Sequence, residues 1–489
     1  MALSRRILPV ANVLARVAGI FSLSLLAPIA LAWFGGDAGL WPFIDALIGL
    51  QAICLLTFLA TRRYRREMQA RDGFILVVGL WTVLPAVAAV PLQLYNPGWS
   101  FTDCYFEAMS GLTTTGATAF AGLDQLPPSL NLWRHLLNWL GGMGIIVLAV
   151  AIMPLLGVGG MQLFKAETPG PMKDAKLTPR IHETARNLWL VYAGLTLVCA
   201  LLLKYAGAMS WLDAVCHAMA ALSLGGFSTH DASVGFFDSP LIEGILIVFM
   251  LLAATNFATH YLALTGRRLA TYWHDSEFKS MLLLIVGSTL LLAGYLLWHS
   301  TYPDYLTALR HTAFNLVSIA TDSGFASQDF GQWPILVPLT MLLLSCMTAC
   351  AGSTGGGIKM IRTLVMLRES GRQFRSLIHP QSVTPLRVNG MVIANPVIFA
   401  VMGFVFLYVA SIVVLTLALL LTGLDFISAF SAVLACINNA GPGLGVVGPA
   451  NNYGALSDVQ IWICSFTMLL GRLEIFSVLV LLTPTFWRS

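Results

Sequence analysis

Charge is what this sequence has least of. Only 10% of its 489 residues are Asp, Glu, Lys or Arg, against about 25% in an average soluble domain. So few charges cannot cover a water-soluble globule of this length, and 57% of the residues are hydrophobic. The chain therefore reads as a multi-spanning membrane protein, for which length says little about domain count. Cysteine is sparse too. Cys54, Cys104, Cys199, Cys216, Cys346, Cys350, Cys436 and Cys464 all lie in apolar segments without a Cys-x-x-Cys pair, which suggests neither a zinc site nor a disulfide framework. Cys346 and Cys350 share a helix face and read as small apolar filler. The nine histidines lack metal-ligand spacing, and no nucleophile stands beside a base. A membrane enzyme would show such clusters, so enzymatic chemistry is not expected.

Long apolar runs are what the sequence has in abundance. Arg5 and Arg6 precede a run from Val13 to Phe34, longer than the core of a signal peptide and suited to an uncleaved spanning helix. A second span, Leu40 to Ala60, follows the turn Gly35-Gly36-Asp37. Beyond residue 72 one pattern recurs four times: a span, a shorter apolar helix, a glycine-centred loop and a returning span. The first unit offers Gly73–Leu94, Phe101–Gly111 and Trp133–Leu156; the second, Leu188–Ala206, Trp211–Leu222 and Leu241–Leu264. The third offers Met281–Trp298, Tyr305–Ala320 and Ile335 onwards; the fourth, Pro396–Leu421, Phe426–Ile437 and Ile461–Leu482. Helices of about 10–14 apolar residues are too short to cross a core of about 30 Å and suit re-entrant half-helices. The expected division is 1–72 for the leading helices, then 73–160, 161–266, 267–375 and 376–489 for the four units.

The loops read Thr114-Thr115-Gly116-Ala117, Leu224-Gly225-Gly226-Phe227, Asp322-Ser323-Gly324-Phe325 and Asn439-Ala440-Gly441-Pro442. Irregular backbone cannot face lipid, so these stretches must be shielded by protein and line a watery path. Glycine frees the backbone to turn successive carbonyls towards one axis. Thr114, Thr115, Leu224, Gly225, Asp322, Ser323, Asn439 and Ala440 are the candidates to present carbonyls just before Gly116, Gly226, Gly324 and Gly441. Such a ring replaces a cation's hydration shell. The competing reading is plain helix breaking or close helix contact.

Basic residues crowd one side of this topology: Arg62, Arg63, Arg65, Arg66 and Arg71; Lys165, Lys173, Lys176, Arg180 and Arg186; Arg267, Arg268 and Lys279; then Lys359, Arg362, Arg368, Arg372, Arg375 and Arg387. Asp37, Asp124, Asp231, Asp238, Asp304, Asp329 and Asp458 fall on the other, with Lys204, Arg134 and Arg310 as exceptions. The asymmetry fits the positive-inside rule with both termini cytoplasmic. It also accounts for the net charge of +4 without a nucleic-acid partner.

Thr113-Thr114-Thr115-Gly116-Ala117-Thr118, Ser223-Leu224-Gly225-Gly226-Phe227-Ser228-Thr229, Ser323-Gly324-Phe325 and Asn439-Ala440-Gly441-Pro442-Gly443 together resemble the Trk/Ktr/HKT superfamily of potassium transporters, most of all its bacterial TrkH branch. The resemblance covers nearly the whole chain. It implies an all-α membrane protein with two leading transmembrane helices and four helix–pore half-helix–filter loop–helix repeats around a central pore. It further implies K+ as transported ion without an organic cofactor, the bacterial inner membrane as location, a homodimer in membrane lipid, and a cytosolic nucleotide-binding TrkA-like regulator. The segment Arg362 to Arg387 is expected to help dock that regulator or to pack at the dimer interface near the gate; the alternative is a set of positive-inside anchors at lipid headgroups. Glycine in all four loops goes with potassium in that superfamily, whereas serine in the first goes with sodium. A sodium-permeable relative, a secondary carrier of an organic solute and a membrane enzyme are the alternatives.

Two further features concern gating. Ala349 to Lys359 holds Gly352, Gly355, Gly356 and Gly357, and each glycine costs a helix about 1 kcal/mol relative to alanine. The spacing up to Lys359 does not fit a phosphate-binding loop. The resemblance implies an intramembrane loop beneath the filter; the alternative is a flexible turn. Arg472 in the last span is an intramembrane charge and so a functional candidate. By resemblance it lies in the permeation path; alternatively it pairs with Glu474 or a buried carbonyl. Asp322 replaces the small hydroxyl residue expected in the third loop, and either bonds neighbouring amides or adds cation attraction. Glu107 reads as a structural anchor rather than an ion ligand.

Overall fold

In lipid every peptide group must bond internally, and the apolar runs accordingly fold as helices. The computed structural model describes residues 2–64, 70–147, 181–382 and 384–488. Arg65, Arg66, Lys165, Lys173, Lys176, Arg180, the end of the expected 133–156 span and the boundary at 160 lie outside them. Helix α1 (Ala2–Ser22) continues through one 3-10 turn into α2 (Leu26–Gly35). Gly36, at φ 66°, ends it, and α3 (Leu40–Thr61) returns. Polar side chains join this hairpin: Asn12 Nδ2 donates to Thr61 Oγ1 at 2.9 Å, and Gln51 Nε2 to the Gly19 carbonyl at 2.9 Å.

Then follow α4 (Ala70–Tyr95), α5 (Phe101–Leu112), α6 (Pro128–Val147), α7 (Ile181–Tyr205) and α8 (Trp211–Ser223). Next come α9 (Pro240–Ala253), α10 (Phe257–Gly266), α11 (Ala270–His274), α12 (Ser276–Trp298), α13 (Tyr305–Ala320), α14 (Leu336–Ser345) and α15 (Met360–Ile378). The chain closes with α16 (Asn395–Leu421), α17 (Phe426–Asn438), α18 (Asp458–Arg472), α19 (Phe476–Leu482) and α20 (Pro484–Trp487). Among the described residues six helices are long and apolar enough to cross a membrane, or up to eight if two bent pairs are counted. The sole sheet among the described residues is a hairpin pairing Arg387 with Val392 and Val388 with Met391. The protein is thus a helical, multi-pass membrane protein.

The short helices α5, α8, α13 and α17 begin alike. Ser100, Ser210, Asp304 and Asp425 each accept the backbone N–H three residues on, at 2.9–3.0 Å. Such caps contribute about 0.5–2 kcal/mol each and fix where each short helix starts. The backbone and hydroxyl bonds from Thr307 also hold the Asp304 carboxyl below its usual range. α13 runs for 16 residues, longer than its counterparts.

Two expected spans are broken. The 241–264 run bends by 96° between α9 and α10, and the 461–482 run by 116° between α18 and α19. At the first break Asn256 Oδ1 caps a new helix by accepting the Ala258 N–H at 2.9 Å. The freed peptides find distant partners: Cys350 N donates to the Ala254 carbonyl at 3.0 Å, and Phe257 N to that of Gly352 at 3.1 Å. At the second break Glu474 and Ile475 take φ values of 53° and 57°. Ile475 N closes the turn on the Leu470 carbonyl at 2.9 Å, while Glu474 pairs with Arg362 at 2.8 Å.

The three basic exceptions to the charge asymmetry all have partners. Arg134 Nε bonds Glu107 Oε1 at 2.7 Å with both side chains 1% exposed. Glu107 also accepts Thr118 Oγ1 and the Ala119 N–H, so it is an anchor for the segment after the first loop. Arg310 bonds Glu243 at 2.7 Å and Asp238 at 2.8 Å. Lys204 donates to the Met209 carbonyl at 3.0 Å. Breaking a buried pair strands a charge at a cost of about 3–5 kcal/mol. Glu107→Ala should therefore lower the thermal unfolding midpoint of the detergent-solubilised protein markedly; a parental midpoint would show that the pair holds nothing together.

Candidate functional site

The carboxyl ends of α5, α8, α13 and α17 share one backbone closure. The N–H groups of Thr115, Gly225, Ser323 and Ala440 donate to the carbonyls of Ser110, Ala220, Ser318 and Ala435, each at 2.8 Å. This is the six-to-one bond of a Schellman end, which needs a left-handed residue just before the donor. Thr114, Leu224, Asp322 and Asn439 fill that place with φ between 53° and 67°. None is glycine, and Thr114 is β-branched, so strain of order 1–3 kcal/mol is held there, as at many ligand clamps. Gly116, Gly226, Gly324 and Gly441 then take φ between 63° and 84°.

Those glycines meet around a ring. A Cβ on Gly116 would strike the carbonyl oxygen of Gly225, and one on Gly226 that of Ser323. On Gly324 it would lie 2.6 Å from the Ala440 oxygen, and on Gly441 2.7 Å from that of Thr115. Each loop thus presses its glycine against the carbonyl just before the next loop's glycine, and the fourth closes on the first. Backbone meets backbone, with no space for a side chain. All four glycines line one vestibule of about 550 Å³, mouth included, together with Thr118, Ser228, Asp231 and Asn451. These four short helices end at this ring, so the negative ends of four helix dipoles converge on it.

Beneath the ring lies the glycine-rich segment. Thr354 Oγ1 donates to the Leu222 carbonyl at 3.1 Å, at the end of α8. Gly356 N donates to Asp322 Oδ2 at 3.0 Å, and a Cβ on Gly356 would strike the Asn438 carbonyl at the end of α17. A Cβ on Gly355 would come within 3.3 Å of the Thr321 oxygen at the end of α13. Gly352 and Gly357 take φ values of 73° and 71°, and Lys359 Nζ donates to the Gly355 carbonyl. The segment therefore abuts three half-helix ends. Of the two readings of Asp322, amide bonding is the one adopted: its carboxylate holds this segment.

Arg472, 2% exposed, completes the arrangement. It donates to the Thr354 carbonyl at 3.1 Å and to that of Gly141 at 2.8 Å. A Cβ on Gly141 would in turn strike the Leu112 carbonyl, at the end of the first half-helix. Buried carbonyls rather than Glu474 are thus its partners. Sequence reasoning missed Glu277, whose Oε2 accepts the Ala351 N–H at 2.8 Å at the root of the segment. A carboxylate at the start of a spanning helix was the signal available, though nothing local named its partner 74 residues on.

Comparison with known proteins gives a consistent result. The family model described as "TrkH: Cation transport protein" matches residues 46–488. The chain is 44% identical over 472 residues to the Trk system potassium uptake protein TrkH of Salmonella typhimurium, covering 96% of this chain and 97% of that one. It is 37% identical to the Trk system potassium uptake protein TrkG of Escherichia coli K12, covering 96% of each. The crystal structure of the potassium transporter TrkH from Vibrio parahaemolyticus is similar with a TM-score of 0.90 and 42% identity, covering 99% of this chain and all of that one.

The ring's closeness can be tested by adding one methyl group. Gly226→Ala places a Cβ on backbone at a left-handed position, combining strain of about 1–2 kcal/mol with overpacking of about 1–3 kcal/mol. Gly244→Ala, on a helix with nothing within 4 Å, should be neutral or stabilising by about 1 kcal/mol. Thermal unfolding in detergent should separate the two by several degrees, and equal midpoints would contradict the backbone contact.

Proposed function

The chain belongs to the TrkH family of cation transport proteins, and from that premise we propose that it takes up potassium as the channel-like, ion-conducting subunit of a Trk-type system. The observation that carries this reading is the closed ring of Gly116, Gly226, Gly324 and Gly441 at the floor of one vestibule. Thr114, Thr115, Leu224, Gly225, Asp322, Ser323, Asn439 and Ala440, with the four glycines, form the filter. Their carbonyls replace part of the ion's hydration shell, strongly enough to admit it and weakly enough to release it. Four converging helix ends add a favourable field for a cation.

In this reading the fold is two leading helices (1–72) and four pore repeats (73–160, 161–266, 267–375 and 376–489) around the path. Gly352, Gly355, Gly356, Gly357 and Lys359 belong to a gate beneath the filter. Arg472 holds the gate to α6 through two carbonyls and sets a positive charge beside the path, limiting occupancy by cations. The protein lies in the bacterial inner membrane with both termini cytoplasmic. It works as a homodimer with a cytosolic nucleotide-binding, TrkA-like subunit that docks near Arg362 to Arg387. Arg368 and Arg375 are exposed there and Arg372 is half-buried, Arg372 paired with Glu369 at 2.8 Å and Arg368 bonded to the Arg387 carbonyl.

Rubidium uptake into vesicles, with and without the purified protein, tests the transport reading, which fails if uptake is equal. Gly116→Ser introduces a side chain against the Gly225 carbonyl, so the preference for K+ over Na+ should fall; an unchanged reversal potential in mixed salts, in a folded variant, removes Gly116 from the filter. For the gate, shortening Gly352 to Gly357 should raise basal flux without altering ion preference. Parental flux in a folded deletion variant would contradict a blocking role.

A further inference from the structure

The four loops share a backbone but are braced in two different ways. In the first, the hydroxyls of Thr113 and Thr115 lie 2.7 Å apart; in the third, those of Thr321 and Ser323 lie 3.1 Å apart. Hydroxyls three and one residues before the glycine thus meet within each of these loops, and Thr115 Oγ1 also accepts Asn439 Nδ2 of the fourth loop at 3.0 Å. The second and fourth loops have Gly225 and Ala440 at the latter place, so no such pair can form. Each is held from outside instead.

Asn138, fully buried on α6, donates its Nδ2 to the Gly225 carbonyl at 2.9 Å. A Cβ on Gly225 would lie 2.6 Å from the Asn138 amide carbon. The Asn138 amide therefore fills the space where Thr115 and Ser323 have their own side chains. In the fourth loop, Tyr453 Oη donates to the Gly441 carbonyl at 2.9 Å and accepts from Cys436 Sγ at 3.9 Å. Tyr453 N also donates to the Thr118 carbonyl at 2.8 Å, fixing the ring against the first loop's descending strand of chain. By the order of glycine contacts around the ring, the second and fourth loops face each other, as do the first and third.

We propose that Asn138 and Tyr453 are specificity-determining positioning residues, each bracing one filter carbonyl from outside its loop, and that they break the fourfold equivalence of the filter. The inference rests on the ring being the ion path. A carbonyl has two lone pairs; a side-chain donor on one of them fixes the direction of the other and draws charge from it. The carbonyl just before the second loop's glycine (Gly225) and the carbonyl of the fourth loop's glycine (Gly441) are then each fixed by an outside donor, while in the first and third loops the paired hydroxyls stiffen the turn without bonding those carbonyls. Discrimination between K+ and Na+ depends on the number, spacing and field of such dipoles. Removing a donor lets its carbonyl turn inward and close on the smaller ion.

The test uses the full-length protein in vesicles, with reversal potentials in mixed K+ and Na+ and Rb+ flux on the same samples. Tyr453→Phe removes one hydroxyl, Asn138→Leu removes the amide at similar volume, and Gly116→Ser reports on the ring itself. Each donor variant should lower the K+ to Na+ permeability ratio roughly 3- to 10-fold, the scale of one lost hydrogen bond, with a smaller change in maximal Rb+ flux. A purely structural role would lower the amount of folded protein and leave the ratio intact. Should Asn138→Leu not fold, Tyr453→Phe decides alone: a parental ratio overturns the proposal. If Gly116→Ser shifts the ratio and the donor variants do not, the ring stands and the proposal for Asn138 and Tyr453 falls. If none of the three shifts it, both fall.

Discussion

A peptide group in the middle of a membrane must have a partner, and the most unusual features of this protein are ways of meeting that demand where helices stop. Four short helices stop at the ring and two expected spans break. The half-helix ends are closed by four copies of the same 2.8 Å bond, and the glycines that follow pack against one another's backbone. The broken second span and the glycine-rich segment satisfy each other through Cys350 to Ala254 and Phe257 to Gly352. Irregular backbone is thereby shielded by protein and gathered around one axis.

This arrangement couples the parts mechanically. Asp322 belongs to the third loop of the ring, yet its carboxylate holds Gly356 in the segment below. Arg472 holds the same segment through Thr354 and reaches α6 through Gly141, which packs against the first half-helix. Glu277 holds the root at Ala351, and Lys359 leads directly into α15, whose Arg362 pairs with Glu474 at the break in the last span. A partner that displaced α15 would pull on the segment first and on the third loop through Asp322 next. The glycine-rich segment and the ring are joined by one set of hydrogen bonds, so the path from α15 to the third loop is short.

Much of this was legible in the sequence where the constraint is local. An apolar run of a dozen residues followed by a glycine-centred loop names the short helices and loops without tertiary knowledge. The breaks in the second and fourth returning spans were not legible. Ala254 to Asn256 and Leu473 to Ile475 contain neither glycine nor proline, and their bends are stabilised by partners far along the chain. Asn138 escaped for the same reason, acting on a carbonyl 87 residues away, and so did the orientation of Asp322, whose two readings differ only in what lies beneath it. Residue type sets which groups need partners; only the packing of distant segments says which partners they find.

The central claim is that the ring of four loops holds the permeating ion. Diffraction from crystals of the protein grown in Rb+, recorded at the rubidium absorption edge, addresses it most directly. The account predicts an anomalous peak on the ring's axis, coordinated by backbone carbonyls of the residues just before Gly116, Gly226, Gly324 and Gly441. Ordered rubidium elsewhere in the membrane-spanning part, with none inside the ring, would contradict it.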